Sequence, residues 1–198
     1  MAATFLAALS VAGRRCTVVG GDEETARRAR ALADEGASVL VRWHERTPVL
    51  TSLEDAGFAV ELGPIDAEVI INGSFLTVLA PQDRALAEAL FRVADRSARL
   101  LCAVDQPEHC TFAHVAIARA GPVRVGISTG GEAPLLARRM RESLERAFSP
   151  EFSAYAREVA RVRMASAPGT RHAATAPLLE GFELAVSIKI PPDRGADE

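Results

Sequence analysis

Apolar and polar positions along this chain alternate between two periods. Arg15–Val19 is a short, β-branched run that ends in Gly20-Gly21, and positions 23–35 then carry a helical pattern that Gly36 terminates. Positions 38–42 read as a second strand, 47–56 as a weaker helix and 58–62 as an alternating strand. Positions 75–80 are apolar apart from Thr77, as in a strand covered on both faces. A helix over 83–97 and a buried strand over 100–104 follow. Strand, helix and strand repeated in this way predict an α/β fold, a Rossmann-type parallel sheet with right-handed crossovers.

After Asp105 the pattern changes. Positions 106–111 are polar and turn-like, 112–118 are apolar without a clear period, and Gly121-Pro122 introduce a strand over 123–128. Thr129-Gly130-Gly131 break that strand, and Pro134 falls in the first turn of an arginine-rich helix running to about position 148. A second helix is expected over 151–164. From Ser166 onward Ala, Pro, Gly and Thr dominate, and 191–198 should fray. No internal repeat is visible.

Composition narrows the class. A chain of 198 residues with 48% hydrophobic and 25% charged content is a globular unit of one or two lobes, able to bury a core without disulfides or a structural metal. The three cysteines, Cys16, Cys102 and Cys110, are irregularly spaced and do not form a secreted disulfide framework. No long apolar run predicts a membrane span. The apolar positions 1–9 have no basic leader, so no signal peptide is expected and the cytoplasm is the expected compartment. A net charge of -3 excludes a generally basic nucleic-acid binder. Lys189 is the sole lysine, which fits a GC-rich coding bias toward arginine.

The turn Gly20-Gly21-Asp22-Glu23-Glu24-Thr25 sits where a strand hands over to a helix. A dinucleotide fold places its pyrophosphate there, because free N–H groups and the helix dipole favour an anion. In the usual G-x-G-x-x-G/A pattern the second glycine falls on Asp22 and the third on Thr25. Asp22, Glu23 and Glu24 suit the dipole but would repel a phosphate. A cofactor site and a structural turn are both open. The window about 20 residues on reads Arg42-Trp43-His44-Glu45. Glu45 could accept ribose hydroxyls, Arg42 or His44 could face a phosphate, and an ordinary polar strand end is the third reading.

Three segments, in order, carry a family resemblance: residues 14–21 (RRCTVVGG), 103–112 (AVDQPEHCTF) and 121–141 (GPVRVGISTGGEAPLLARRMR). Together they resemble the precorrin-2 dehydrogenase and sirohydrochlorin ferrochelatase family, which also occurs as the N-terminal module of siroheme synthases. The resemblance covers roughly residues 5–150. It implies a Rossmann-type NAD-binding domain over 1–110, a small dimerisation and substrate region over 111–150, and a helical C-terminal region with a flexible tail over 151–198. The implied reaction removes two electrons and two protons from precorrin-2, giving sirohydrochlorin and NADH, and some members also insert ferrous iron. A homodimer and a tetrapyrrole substrate are implied as partners. The exposed edge expected of the strand over 123–127 supports pairing independently.

The resemblance assigns Asp105 the catalytic role and puts Thr129 beside the tetrapyrrole. The cofactor-binding candidates are Gly20, Gly21, Asp22, Glu23 and Glu24 at the first turn, with His44 and Glu45 at the end of the second strand. Chemistry agrees with the first assignment: Asp105 lies just past a parallel strand, where such sheets hold ligands, and a carboxylate can take a ring proton. A turn acid before Pro107 is the bland alternative. Thr129, Gly130 and Gly131 offer N–H groups and a hydroxyl to a substrate carboxylate. Arg138, with Arg119, Arg124, Arg139 and Arg141, offers guanidinium forks, though any one of them could simply line a solvated helix. His109, Cys110 and His114 with Asp105 are too loosely spaced for a structural zinc, and no metal site is assigned.

Departures from the family cluster at the cofactor. The family reads G-G-G-x-V-A at the first turn, A-A-T-D after the fourth strand and N-V-V-D at the fifth. This chain has Gly20-Gly21-Asp22-Glu23-Glu24-Thr25, Leu79-Ala80-Pro81-Gln82 and Cys102-Ala103-Val104-Asp105. His114-Val115 replace a phenylalanine-proline pair. Weakened NAD binding with retained tetrapyrrole handling is the expectation. Two alternatives to the dehydrogenase follow: a sirohydrochlorin ferrochelatase that does not use NAD, and a non-catalytic tetrapyrrole-binding homologue.

Overall fold

A computed structural model describes residues 5–190. The frayed end expected over 191–198 and the first four positions of the apolar stretch 1–9 lie outside the described residues. Five parallel strands, β1 (Arg15–Val19), β2 (Ser38–Trp43), β3 (Ala59–Leu62), β4 (Leu76–Leu79) and β5 (Leu100–Ala103), form one sheet in the order β3-β2-β1-β4-β5. The order reverses between β1 and β4, which creates the crevice where dinucleotide folds bind. The expected Rossmann-type sheet is therefore present.

Helices α1 (Glu23–Asp34), α2 (Pro48–Asp55), α3 (Ala67–Asn72) and α4 (Arg84–Arg96) connect these strands. Side chains alternate across the sheet and build two cores. Cys16, Val18, Leu76 and Val78 meet Ala26 and Ala29 of α1 and Leu50 and Leu53 of α2. Val19, Leu79, Leu101 and Ala103 meet Ile70 and Ile71 of α3 and Leu90 of α4. Both faces are covered, which is why β4 lacks polar alternation. Thr17 is buried yet satisfied: its Oγ1 lies 2.6 Å from Ser74 Oγ, which donates to the Ile70 carbonyl at 2.8 Å.

The rest of the chain comprises β6 (Ala116–Ala120), β7 (Val123–Ile127), α5 (Pro134–Ala147), α6 (Pro150–Ala165) and α7 (Arg171–Leu179). β6 and β7 form a separate two-stranded sheet. Contacts divide the molecule into two compact units: residues up to 116 with 126–138, and 117–125 with the residues from 139 on. In the second unit Tyr155 of α6 donates to the Leu178 carbonyl of α7 at 2.6 Å, and Phe182 stacks on Phe152 and Tyr155.

Three elements depart from the sequence expectation. α3 lies in a stretch assigned no element; the Asp66 carboxylate caps it by accepting from the Glu68 and Val69 N–H groups. β6 resolves the apolar stretch over 112–118 as a strand reaching Ala120. α7 forms in the Ala-, Pro-, Gly- and Thr-rich stretch after Ser166, to which the sequence pattern assigned no element, and it holds Pro177 inside its last turn. No described helix is long and apolar enough to cross a membrane.

Candidate active site

The carboxyl edge of the parallel sheet gathers most of the predicted residues. Gly20, Gly21 and Asp22 follow β1; His44 and Glu45 follow β2; Pro81 and Gln82 follow β4; Asp105 follows β5. Parallel pairing sets this arrangement. Leu79 registers with Ala103, so Gln82 and Asp105 leave adjacent strands on the same side of the sheet.

Asp105 is exposed and has φ +58, a left-handed conformation that aspartate tolerates better than most residues. Its turn is latched from both sides. Val104 N–H donates to the Leu79 carbonyl at 2.9 Å, and Gln106 N–H donates to the Ala103 carbonyl at 3.2 Å. The Cys110 thiol accepts from Ala103 N–H at 3.2 Å and lies 3.3 Å from the Gln106 carbonyl it can donate to. Gln82 Nε2 donates to Asp105 Oδ2 at 3.4 Å. The result is a carboxylate open to a ligand on a braced backbone.

Thr129, Gly130 and Gly131 follow β7 and lie in the same compact unit as Asp105. Gly130 and Gly131 have φ of +64 and +83, two consecutive left-handed residues that only glycine adopts cheaply. Thr129 Oγ1 accepts from Ala133 N–H at 3.3 Å, so the hydroxyl closes the turn into α5. Arg138 is exposed on α5. Sequence reasoning missed the contact of Gln82 with Asp105, although adjacent parallel strands ending together were the signal for it.

The first glycine turn fits a dinucleotide at its backbone. A Cβ at Gly20 would lie 2.2 Å from Thr25 Oγ1 and 3.0 Å from Pro81 Cδ, so the position must stay bare, as close approach to a pyrophosphate requires. His44 and Glu45 are exposed at the β2 end, the place where dinucleotide folds in general hold the ribose. Asp22 is the competing feature. Its Oδ1 accepts from Thr25 N–H at 2.9 Å and from Thr25 Oγ1 at 2.8 Å, so a carboxylate already caps α1. Such a cap is worth about 1 kcal/mol, little enough for a rotamer change to release it. Glu24 is engaged with Arg27 and with Arg28, the latter at 2.6 Å. Trp43 packs over Gly21, and Thr47 Oγ1 donates to the Gly21 carbonyl at 2.7 Å.

The loose donor set near Asp105 is dispersed into separate contacts. His109 is buried edge-on to Phe91, His114 meets Phe112, and the Cys110 thiol serves the backbone. Among the described residues no three His, Cys, Asp or Glu side chains gather to hold a metal. Cys16 and Cys102 are buried in β1 and β5. Burial pushes the Cys16 thiol up from its ordinary pKa, and hydrogen bonding to Cys110 with burial raises Cys102.

A family model described as "Putative NAD(P)-binding" matches residues 7–116, and one described as "Sirohaem biosynthesis protein central" matches 121–147. The chain belongs to the NAD(P)-binding family found in siroheme synthases. A siroheme synthase of Gluconacetobacter diazotrophicus is 36% identical over 157 residues, covering 77% of this chain and 33% of its own. One of Escherichia coli is 37% identical over 134 residues, covering 67% and 29%. The chain thus spans about a third of the length of these relatives. Among solved structures, the precorrin-2 dehydrogenase SirC shares the fold, with a TM-score of 0.72 at 21% identity over 89% of both chains. The resemblance drawn from residues 14–21, 103–112 and 121–141 is borne out, and this NAD(P)-binding family member carries its glycine turn and Asp105 within the first matched segment.

Proposed function

We propose that this chain catalyses the NAD-dependent oxidation of precorrin-2 to sirohydrochlorin. The observation that carries the reading is the exposed Asp105 carboxylate, held in a left-handed turn at the carboxyl end of β5 in an NAD(P)-binding family member. Oxidation removes one hydride and one proton from the macrocycle. A bound nicotinamide supplies the hydride acceptor. Asp105 takes the ring proton as general base, and Gln82 restrains the carboxylate that does so.

Binding roles follow from the same edge. Gly20 and Gly21 admit the dinucleotide backbone-first, while Glu45 accepts the ribose hydroxyls and disfavours a 2′-phosphate, which selects NAD over NADP. Thr129, Gly130, Gly131 and Arg138 receive the acetate and propionate groups of the tetrapyrrole. Two copies pair through β6 and β7, because a two-stranded sheet is marginal alone and its edges are open. The cytoplasm is the compartment of this reaction.

The Asp22 cap favours one second reading, insertion of ferrous iron into sirohydrochlorin without a dinucleotide, with Asp105 taking pyrrole protons. Anaerobic incubation with precorrin-2 and NAD+, and separately with sirohydrochlorin and ferrous iron, tests both. The dehydrogenase reading expects sirohydrochlorin absorbance to rise in step with NADH. Siroheme formed from supplied sirohydrochlorin and iron, with no NADH from precorrin-2 at any NAD+ concentration, would replace it with the second reading.

A further inference from the structure

The relation between Asp22 and Thr25 is reciprocal. The carboxylate accepts from Thr25 N–H and Oγ1, and Thr25 Oγ1 in turn accepts from Asp22 N–H at 3.3 Å. In a dinucleotide fold the start of this helix receives the diphosphate. The turn is closed further by Trp43 against Gly21 and by Thr47 bonded to the Gly21 carbonyl. An anion of the chain's own therefore stands where the cofactor's anion belongs.

We propose that Asp22 is an internal competitor for the dinucleotide diphosphate: its carboxylate closes the β1–α1 turn in the free chain and must swing away before a nucleotide seats. This deepens the dehydrogenase reading and rests on it. Two costs oppose nucleotide binding, loss of the cap and repulsion between a carboxylate and a diphosphate a few ångströms apart. Asp22→Asn keeps a capping oxygen and removes the charge, whereas Asp22→Gly removes both. The Asp22 backbone, at φ -111 and ψ -179, is extended and open to either residue. Adenosine lacks a diphosphate and should not sense the change.

Trp43, the chain's single tryptophan, lies against the turn and reports its occupancy by fluorescence. Titrations of the full chain with ADP, NAD+ and adenosine, repeated by calorimetry, give the dissociation constants. The proposal expects ADP and NAD+ to bind about tenfold more tightly to Asp22→Asn, the order of effect of one nearby surface charge, and tighter still to Asp22→Gly. Adenosine binding should stay unchanged, and thermal melting should confirm that Asp22→Asn is as folded as the native chain. Native binding of NAD+ with no tightening in either variant would overturn the proposal and leave the dehydrogenase reading standing. No saturable binding of NAD+ to the native chain or to either variant at millimolar concentration would overturn both.

Discussion

Gln82 Nε2 donates to Asp105 Oδ2 across the ends of β4 and β5, at 3.4 Å. The two residues lie 23 positions apart in the chain and meet because Leu79 and Ala103 are register partners in parallel strands. A charge-assisted bond of this kind orients a carboxylate without neutralising it. Gln82 thereby becomes a positioning residue for the proposed base.

Removing that donor should act on turnover and spare binding. Gln82→Ala is expected to lower kcat about three- to tenfold, the scale of one weakly aligned hydrogen bond, with KM for the tetrapyrrole and the melting temperature unchanged. Steady-state kinetics read the split. A rise in KM with unchanged kcat would place Gln82 in substrate binding instead.

Cys110 braces the same turn from below, through Ala103 N–H and the Gln106 carbonyl. Cys110→Val fills the space but removes the acceptor of the Ala103 N–H, while the Gln106 carbonyl keeps the His109 N–H, so about 1–3 kcal/mol of stability should be lost and kcat reduced. Cys110→Ser restores a donor and acceptor and should recover much of both. Chemical denaturation and kinetics on the two variants provide the check.

Gly20 has no room for a side chain. A Cβ would lie 2.2 Å from Thr25 Oγ1, at a φ of +148. Gly20→Ala should cost roughly 1–3 kcal/mol through backbone strain and displacement of Thr25. The loss should appear as a lower urea midpoint together with weakened nucleotide binding.

Burial raises the Cys16 thiol pKa. The unfolded thiol ionises first as pH rises, so the stability this buried neutral thiol contributes is complete below its unfolded pKa and is lost as pH climbs through the raised folded value. Melting temperatures should therefore fall between pH 8 and 10 (about the range bracketing an ordinary thiol pKa), and fall less steeply in Cys16→Ala. Equal slopes would remove Cys16 from the alkaline response.

The sheet was legible because each strand is bounded by glycine or by a helix start, and because β4 and β5 are apolar enough to require cover on both faces. α3 was not. Its six residues include Val69, Ile70 and Ile71, whose β-branched run mimics a strand, and only the Asp66 cap marked a helix start. α7 escaped notice because Pro177 argues against a helix interior; it falls two residues before the last residue of α7, where it forfeits one i→i−4 bond and little helix remains to be broken. At the site, Asp105 and the Gly130-Gly131 turn could be picked out through the family resemblance of residues 103–112 and 121–141, whereas residue type and position alone left Asp105 a turn acid before Pro107. The role of Asp22 could not, since an acid at a helix start reads the same whether it repels a phosphate or caps the helix in its place.

One variant tests the central claim most directly. Asparagine tolerates the left-handed backbone of Asp105 at least as well as aspartate, so Asp105→Asn removes the proposed base without disturbing its turn. Incubated anaerobically with precorrin-2 and NAD+, the native chain should form sirohydrochlorin and NADH one for one. Asp105→Asn should bind both ligands equally well and turn over about 10²- to 10⁴-fold more slowly, the usual contribution of a general base. Sirohydrochlorin and NADH formed by Asp105→Asn at the native rate would contradict the account.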